Sequence, residues 1–348
     1  MSAAAGADRL LVLRTPGERL SLRVERRPLV ATVVLAGLAS FLCAAALMIG
    51  EFRISPVALL QTLAGEPPDP RMEFFVLHRR LPRALVALCI GAALACGGAL
   101  FQRVTRNPLA SPDLLGISSG AAAGACTVIL LLHGSPAQVS LGALAGAAVA
   151  ALTIGAFALR GGMTSGRIIL AGLAFAALAS ATTGYLLTRV FVGAAVTAQT
   201  WLVGSLQGRG WTELLPLLLV SAVVLPVLLW RERVLAILEF DPATTTSLGA
   251  AGGRERALFL ACGVVLVAFA VAAAGPISFI ALAAPHISRA VAGSRALLPA
   301  ALTGGILLLT ADLLAQFALP VPVPVGVVTI VLGGAFFLSL LLRQGRRR

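Results

Sequence analysis

The chain is divided into apolar runs of roughly 20 residues, the length at which an α-helix crosses the hydrocarbon core of a bilayer. They fall at 29 to 50, 82 to 104, 114 to 133, 139 to 159, 167 to 190, 212 to 230, 256 to 274, 277 to 292, 297 to 317 and 325 to 342, the eighth interrupted by Pro285. Hydrophobic residues make up 59% of the chain and charged ones 12%, with a mean hydropathy of +0.97, so this is a polytopic membrane protein. Alternating ten-residue segments of the barrel type are absent, and Ala, Gly and Leu dominate, which suits helices packed through small residues. The expected fold class is an all-α integral membrane bundle of ten transmembrane helices.

Charge supplies orientation. The net charge of +13 comes from 27 arginines, with no lysine in the chain. A Walker A loop needs a lysine on the nucleotide phosphates, so the chain has no ATPase site of that kind. The arginines flank the spans instead of forming one patch, which argues against nucleic acid as a partner. Residues 1–28 read as a cytoplasmic tail, 29–342 as one transmembrane domain, and 343–348 as a basic cytoplasmic tail. With both termini inside, 20 arginines lie on the cytoplasmic side and seven outside. Five of those seven lie between or at the ends of the first two spans, concentrated in HRRLPRALV at 78–86. That cluster is a local exception to the positive-inside rule. Two readings remain open: arginines snorkelling at a helix end, or a docking patch. Cys43, Cys89, Cys96, Cys126 and Cys262 lie inside apolar runs with no CxxC, so neither a disulfide framework nor a metal centre is indicated.

Irregular joints are the next signal. TRNPLASPDLLG, 105–116, stops one helix and starts another, with Ser111 or Asp113 available as N-cap. RGGMTSGR, 160–167, is a second inside joint. The longest inside loop, 231–256, contains FDPATTTSLG. Asp241 suits an N-cap, Pro242 a first helical turn and Gly249 a stop, which predicts one or two short helices outside the membrane. Within the spans, Asp312 is the clearest buried acid; no deep basic partner is expected for it, so helix-packing hydrogen bonds are its expected role. His286, after Pro285, is expected to make a helix-end hydrogen bond.

At these residues the chain resembles the FecCD-type permease subunits of bacterial ABC importers for iron siderophores, haem and vitamin B12. The resemblance rests on RRLPRALVALCIGAALACGGALFQRVTRNPLASPDLLGISSGAAAGA, WLVGSLQGRGW, GPISFIALAAPHISR and LPVPVPVGVVTIVLGGAFFLSLLLR, and in TADLLAQ it looks most like permeases for catecholate siderophores. It implies a cell-membrane subunit of ten helices with coupling helices between the sixth and seventh, not itself an enzyme and without a cofactor. It implies a second permease subunit, identical or paralogous, two ATP-binding subunits and an extracytoplasmic substrate-binding protein delivering a ferric siderophore. By the same resemblance, Arg80 and Arg83 dock the binding protein, and Asn107, Leu109, Thr164 and Ser165 form cytoplasmic gates. Leu235, Leu238, Asp241, Pro242, Leu248 and Gly249 couple to the ATPase. The family's further docking arginine near the end of the ninth span is Gln316 here. Haem or cobalamin cargo and, from another class, an ATP-independent secondary transporter are the alternatives.

Overall fold

The computed structural model describes residues 10–14, 21–50, 52–160, 165–189, 192–248 and 252–345. A small antiparallel hairpin, β1 (Leu10–Arg14) and β2 (Ser21–Glu25), precedes the bundle, with Leu10 opposite Glu25. Everything after it is helical: α1 (Arg26–Met48), α2 (Pro56–Leu63), α3 (Pro70–Thr105), α4 (Ile117–Leu131), α5 (Pro136–Arg160) and α6 (Ser165–Thr188). Then follow α7 (Val192–Val203), α8 (Trp211–Trp230), α9 (Glu232–Ile237), α10 (Pro242–Ser247), α11 (Gly252–Ala274), α12 (Ile280–Ala292), α13 (Leu297–Phe317) and α14 (Val325–Gly345).

Each expected apolar run forms a helix. Among the described residues seven helices are long and apolar enough to span a bilayer, and α4, α7, α12 and α14 have shorter apolar stretches. α7 was not expected: at 12 residues it falls below the length at which an apolar run reads as a span. It is fastened at its C-terminal end, where Ser205 N donates to Ala274 O at 2.8 Å and Gly326 N to Gly204 O at 3.1 Å. Gly204 and Gly275 both take φ +78° there, and a Cβ on either would run into the facing backbone.

α3 is the axis of the subunit. Its apolar window is 78% buried, against 17% for α1 and α8, because α1, α8, α11, α12 and α13 all pack on it. At about 1.5 Å per residue its 36 residues run roughly 54 Å, well beyond a hydrocarbon core of about 30 Å, so one end projects from the membrane. Lipid is as apolar as the bundle core, so helix association depends on close packing more than on burial. Glycine supplies the closeness. A Cβ on Gly91 would strike the Gly304 carbonyl of α13, and one on Gly98 the Ala281 carbonyl of α12. α4 and α5 meet in a reciprocal seam, Gly120 and Gly124 against Gly146 and Gly142, a pair of small-xxx-small faces. Outward side chains such as Val33 and Phe41 on α1, Leu152 on α5 and Leu219 on α8 are exposed and apolar, as a lipid-facing surface requires.

Candidate functional site

The projecting end of α3 is built as a platform. Asp69 caps it, its Oδ1 accepting from Arg71 N at 2.8 Å, and Pro70 fills the first turn. Over Phe74–Arg80 the helix widens into a π turn. Such a turn displaces backbone carbonyls from their usual partners, and here Leu77 O instead accepts from Trp211 Nε1 at 3.1 Å. Phe52 and Phe75 stack with centroids 6.4 Å apart, and the exposed Arg79 lies over the Phe74 ring at 5.7 Å.

The two sequence-predicted docking arginines are both engaged within the chain. Arg80 Nη1 donates to Leu47 O at 2.8 Å and Nη2 to Phe52 O at 2.6 Å, tying the end of α1 to α3. Arg83 makes a two-point pair with Asp312 of α13, Nε to Oδ2 at 3.0 Å and Nη2 to Oδ1 at 2.8 Å. Gln316 Nε2 adds a bond to Asp312 Oδ2 at 2.7 Å. The expectation that Asp312 lacks a basic partner is therefore corrected. Arg83 sits well inside a helix that begins at Pro70, twelve residues before the run was expected to turn helical, and this places its guanidinium level with Asp312. The Asp312 side chain is 3% exposed and that of Arg83 22%, so the pair is largely shielded from solvent.

At the other end, α3 stops at Arg106, a non-glycine residue in the left-handed region at φ 53°. Asn107 Oδ1 accepts from Leu109 N at 3.0 Å, closing an Asx turn that leaves Leu109 45% exposed. Neither expected residue caps α4 directly: its N-cap is Gly116 at φ 74°, while Ser111 Oγ closes the preceding turn and Asp113 Oδ1 accepts from Ser118 Oγ at 2.7 Å. A Cβ at Gly116 would press on the Gly172 carbonyl of α6, so the helix can start there only on glycine. Thr164 and Gly249 lie outside the described residues, and Ser165 opens α6.

The inside loop forms the two short helices expected of it. Asp241 caps α10, Oδ2 accepting from Thr244 N at 3.0 Å and Oδ1 from Thr244 Oγ1 at 2.6 Å, and these bonds hold the Asp241 carboxyl below the usual carboxylate range. Pro242 occupies the first turn. Leu235 and Leu238 are fully buried and anchor the loop to the bundle; Phe240 and Leu248, at 55% and 56% exposed, are the apolar groups it presents outward. The loop is also held by charge. Glu239 Oε1 accepts from Arg103 Nε of α3 at 2.5 Å and its Oε2 pairs with Arg295 of the α12–α13 turn. Arg103 Nη1 donates to Arg295 O at 3.1 Å, and Glu232 Oε1 accepts from Leu297 N at the start of α13 at 2.7 Å. Arg231 grips Glu255 at 2.6 Å, joining α8 to α11. This network went unread in the sequence, although Glu232, Glu239, Asp241 and Glu255, four of the fourteen acids, all fall in this one loop. His286 Nδ1 meets Leu282 O at 2.9 Å, a hydrogen bond one turn back inside α12 and not at the helix end where it was expected.

An ion pair thus clamps α3 to α13 near one end, and ion pairs and hydrogen bonds join α3, the start of α13 and the loop helices at the other. Residues 38–343 match the FecCD transport family. The chain belongs to that family. It is 37% identical over 331 residues to the ferric enterobactin transport system permease protein of Escherichia coli, covering 93% of this chain and 99% of the relative. It is 38% identical over 334 residues to the iron(III)-citrate import system permease protein of Bacillus subtilis, covering 94% and 98%. It is also 38% identical over 318 residues to a vitamin B12 import system permease protein of Escherichia coli, covering 88% and 95%. Among solved structures, a metal-chelate type ABC transporter in an inward-facing conformation superposes with a TM-score of 0.79 at 28% identity over 90% of this chain and 98% of its own. The fold is that of an ABC permease subunit, which is multi-pass and is not itself the ATPase.

Proposed function

We propose that this chain carries a ferric siderophore across the bacterial cell membrane as one of two permease subunits, powered by a pair of separate ATP-binding subunits and loaded by an extracytoplasmic binding protein. The observation that carries the reading is end-to-end similarity to siderophore and ferric-citrate permeases joined to the metal-chelate transporter fold. Both termini are cytoplasmic in this reading, consistent with the arginine distribution.

The mechanism follows from the two tied ends of α3. Arg79 and Arg80, with the Nη1 group of Arg83 that makes no bond within the described residues, offer donors to carboxylates of the binding protein. ATP-driven closure of the ATPase pair pushes on α9 and α10 through Phe240, Asp241 and Leu248. Leu235, Leu238 and the Glu239 contacts pass that displacement to α3 and α13, and so to the gate turns at Asn107 and Leu109 and at Thr164 and Ser165. The similarity to a vitamin B12 permease keeps cobalamin as a second cargo. A carrier working without nucleotide is disfavoured by the match of nearly the whole chain to ABC importer permeases.

The test is uptake into proteoliposomes holding the permease with its ATPase and binding protein. Radioactive ferric siderophore should accumulate only with all components and ATP. Accumulation by the permease alone overturns the reading, and transport of cyanocobalamin in preference to the iron chelate moves it to the second cargo.

A further inference from the structure

We propose that the face bearing the loop helices contains a binding site for a phosphate group, in a cleft between the end of α3, the α9–α10 loop and α12. The inference rests on the cleft's own geometry and not on the transport reading. The cleft has a volume of about 520 Å³, within the range of small-ligand sites. Its walls bring together Arg103, Arg106, Arg289 and Arg295, against the single lining carboxylate of Glu239.

These four guanidiniums are not all consumed. Arg103 and Arg295 share Glu239, but Arg106 makes one long bond, Nη1 to Phe240 O at 3.3 Å, and Arg289 is exposed, its guanidinium with no hydrogen bond or ion pair among the described residues. A surplus of guanidinium in a concave wall selects an anion. The second, independent sign is Ser288. It lines the same cleft, is 1% exposed, and its Oγ makes no hydrogen bond, not even the bond to the preceding turn that helical serines commonly form. A buried hydroxyl without a partner is costly, and a ligand oxygen would relieve it. The broad face of a macromolecule cannot reach a group so deep, and a small tetrahedral oxyanion held at the free guanidiniums is the occupant that suits a donor in the cleft wall. The shared chemistry is a phosphate monoester, diester or free phosphate, supplied by a phospholipid headgroup of the adjoining leaflet or by the soluble pool.

The full chain is placed in two settings: in phosphatidylcholine nanodiscs titrated with radiolabelled inorganic phosphate, and in micelles with phosphatidylglycerol examined by native mass spectrometry. Saturable retention of one phosphate per chain in the first setting identifies the free ion; retention of phosphatidylglycerol in the second identifies the headgroup. In whichever setting binds, Arg289→Gln should weaken binding about tenfold and Ser288→Ala by several-fold, with Arg71→Gln at the opposite end unchanged. Ser288→Ala removes only an unpartnered hydroxyl, so its fold is retained and its result is interpretable even where Arg289→Gln is poorly expressed. No saturable binding in either setting, or binding that Arg289→Gln and Ser288→Ala leave intact, overturns the proposal.

Discussion

Replacing Arg83 by methionine tests the outer clamp directly. The substitution keeps much of the stem volume and leaves the Asp312 carboxylate, 3% exposed, with Gln316 as its remaining side-chain donor. Removing one partner of a buried pair costs about 3–5 kcal/mol, since the surviving charge stays desolvated. Asp312→Leu should cost less, about 2 kcal/mol, because Arg83 is 22% exposed and its guanidinium can turn to water or headgroups. The double variant, Arg83→Met with Asp312→Leu, exchanges the pair for apolar contact and should return close to the parent, since such replacements are commonly near neutral. The measurement is unfolding free energy in mixed micelles for all four proteins. Coupling between the two positions should be at least about 2 kcal/mol, within the range for contacting residues. Single-variant losses that sum to the double within about 0.5 kcal/mol would show that the two groups do not support each other, and the clamp would be refuted.

Glu239→Gln leaves Arg103, nearly inaccessible to water, with only the longer contact to Glu232 at 3.9 Å; it should destabilise the chain by about 2–4 kcal/mol and raise ATP hydrolysis uncoupled from uptake, read by paired hydrolysis and transport assays. Asp241→Ala should speed amide exchange across 242–248 while leaving the spans unaffected. The parent should lose the same protection on acidification: the folded Asp241 carboxyl titrates below its unfolded value, so its contribution is present above the unfolded value and disappears as pH falls through the folded one. Gly98→Leu drives a side chain into the Ala281 carbonyl and should abolish the folded bundle, seen as loss of the monodisperse peak in detergent. Arg80→Gln should loosen the α1–α2 connection, exposing residues 47–52 to protease, and lower affinity for the binding protein in a salt-dependent manner.

The spans were readable because a bilayer imposes one length on every helix that crosses it, whatever the helix touches. The Asp241–Pro242 start of α10 was readable because cap chemistry is local. Arg83 and Asp312, by contrast, are 229 positions apart and come together through the glycine contacts of α3 with α13, which no periodicity announces. Placing the start of the second span at Pro82 also misjudged the setting of Arg83, since the preceding stretch from Pro70 is helical too. Leu235 and Leu238 were expected to couple to the ATPase, yet both are fully buried and anchor the loop to the bundle, a distinction that depends on which face meets the bundle.

The widened turn at Phe74–Arg80 gives chain length there a meaning that side-chain identity lacks. Each residue of an α-helix advances the azimuth by about 100°, so deleting a single residue to restore ordinary winding would swing the Asp69 cap and Arg71 around the axis relative to Arg80 and Arg83. A shortened variant retaining every arginine would then present its charges in the wrong direction. Spacing, more than composition, sets the compass heading of this rim.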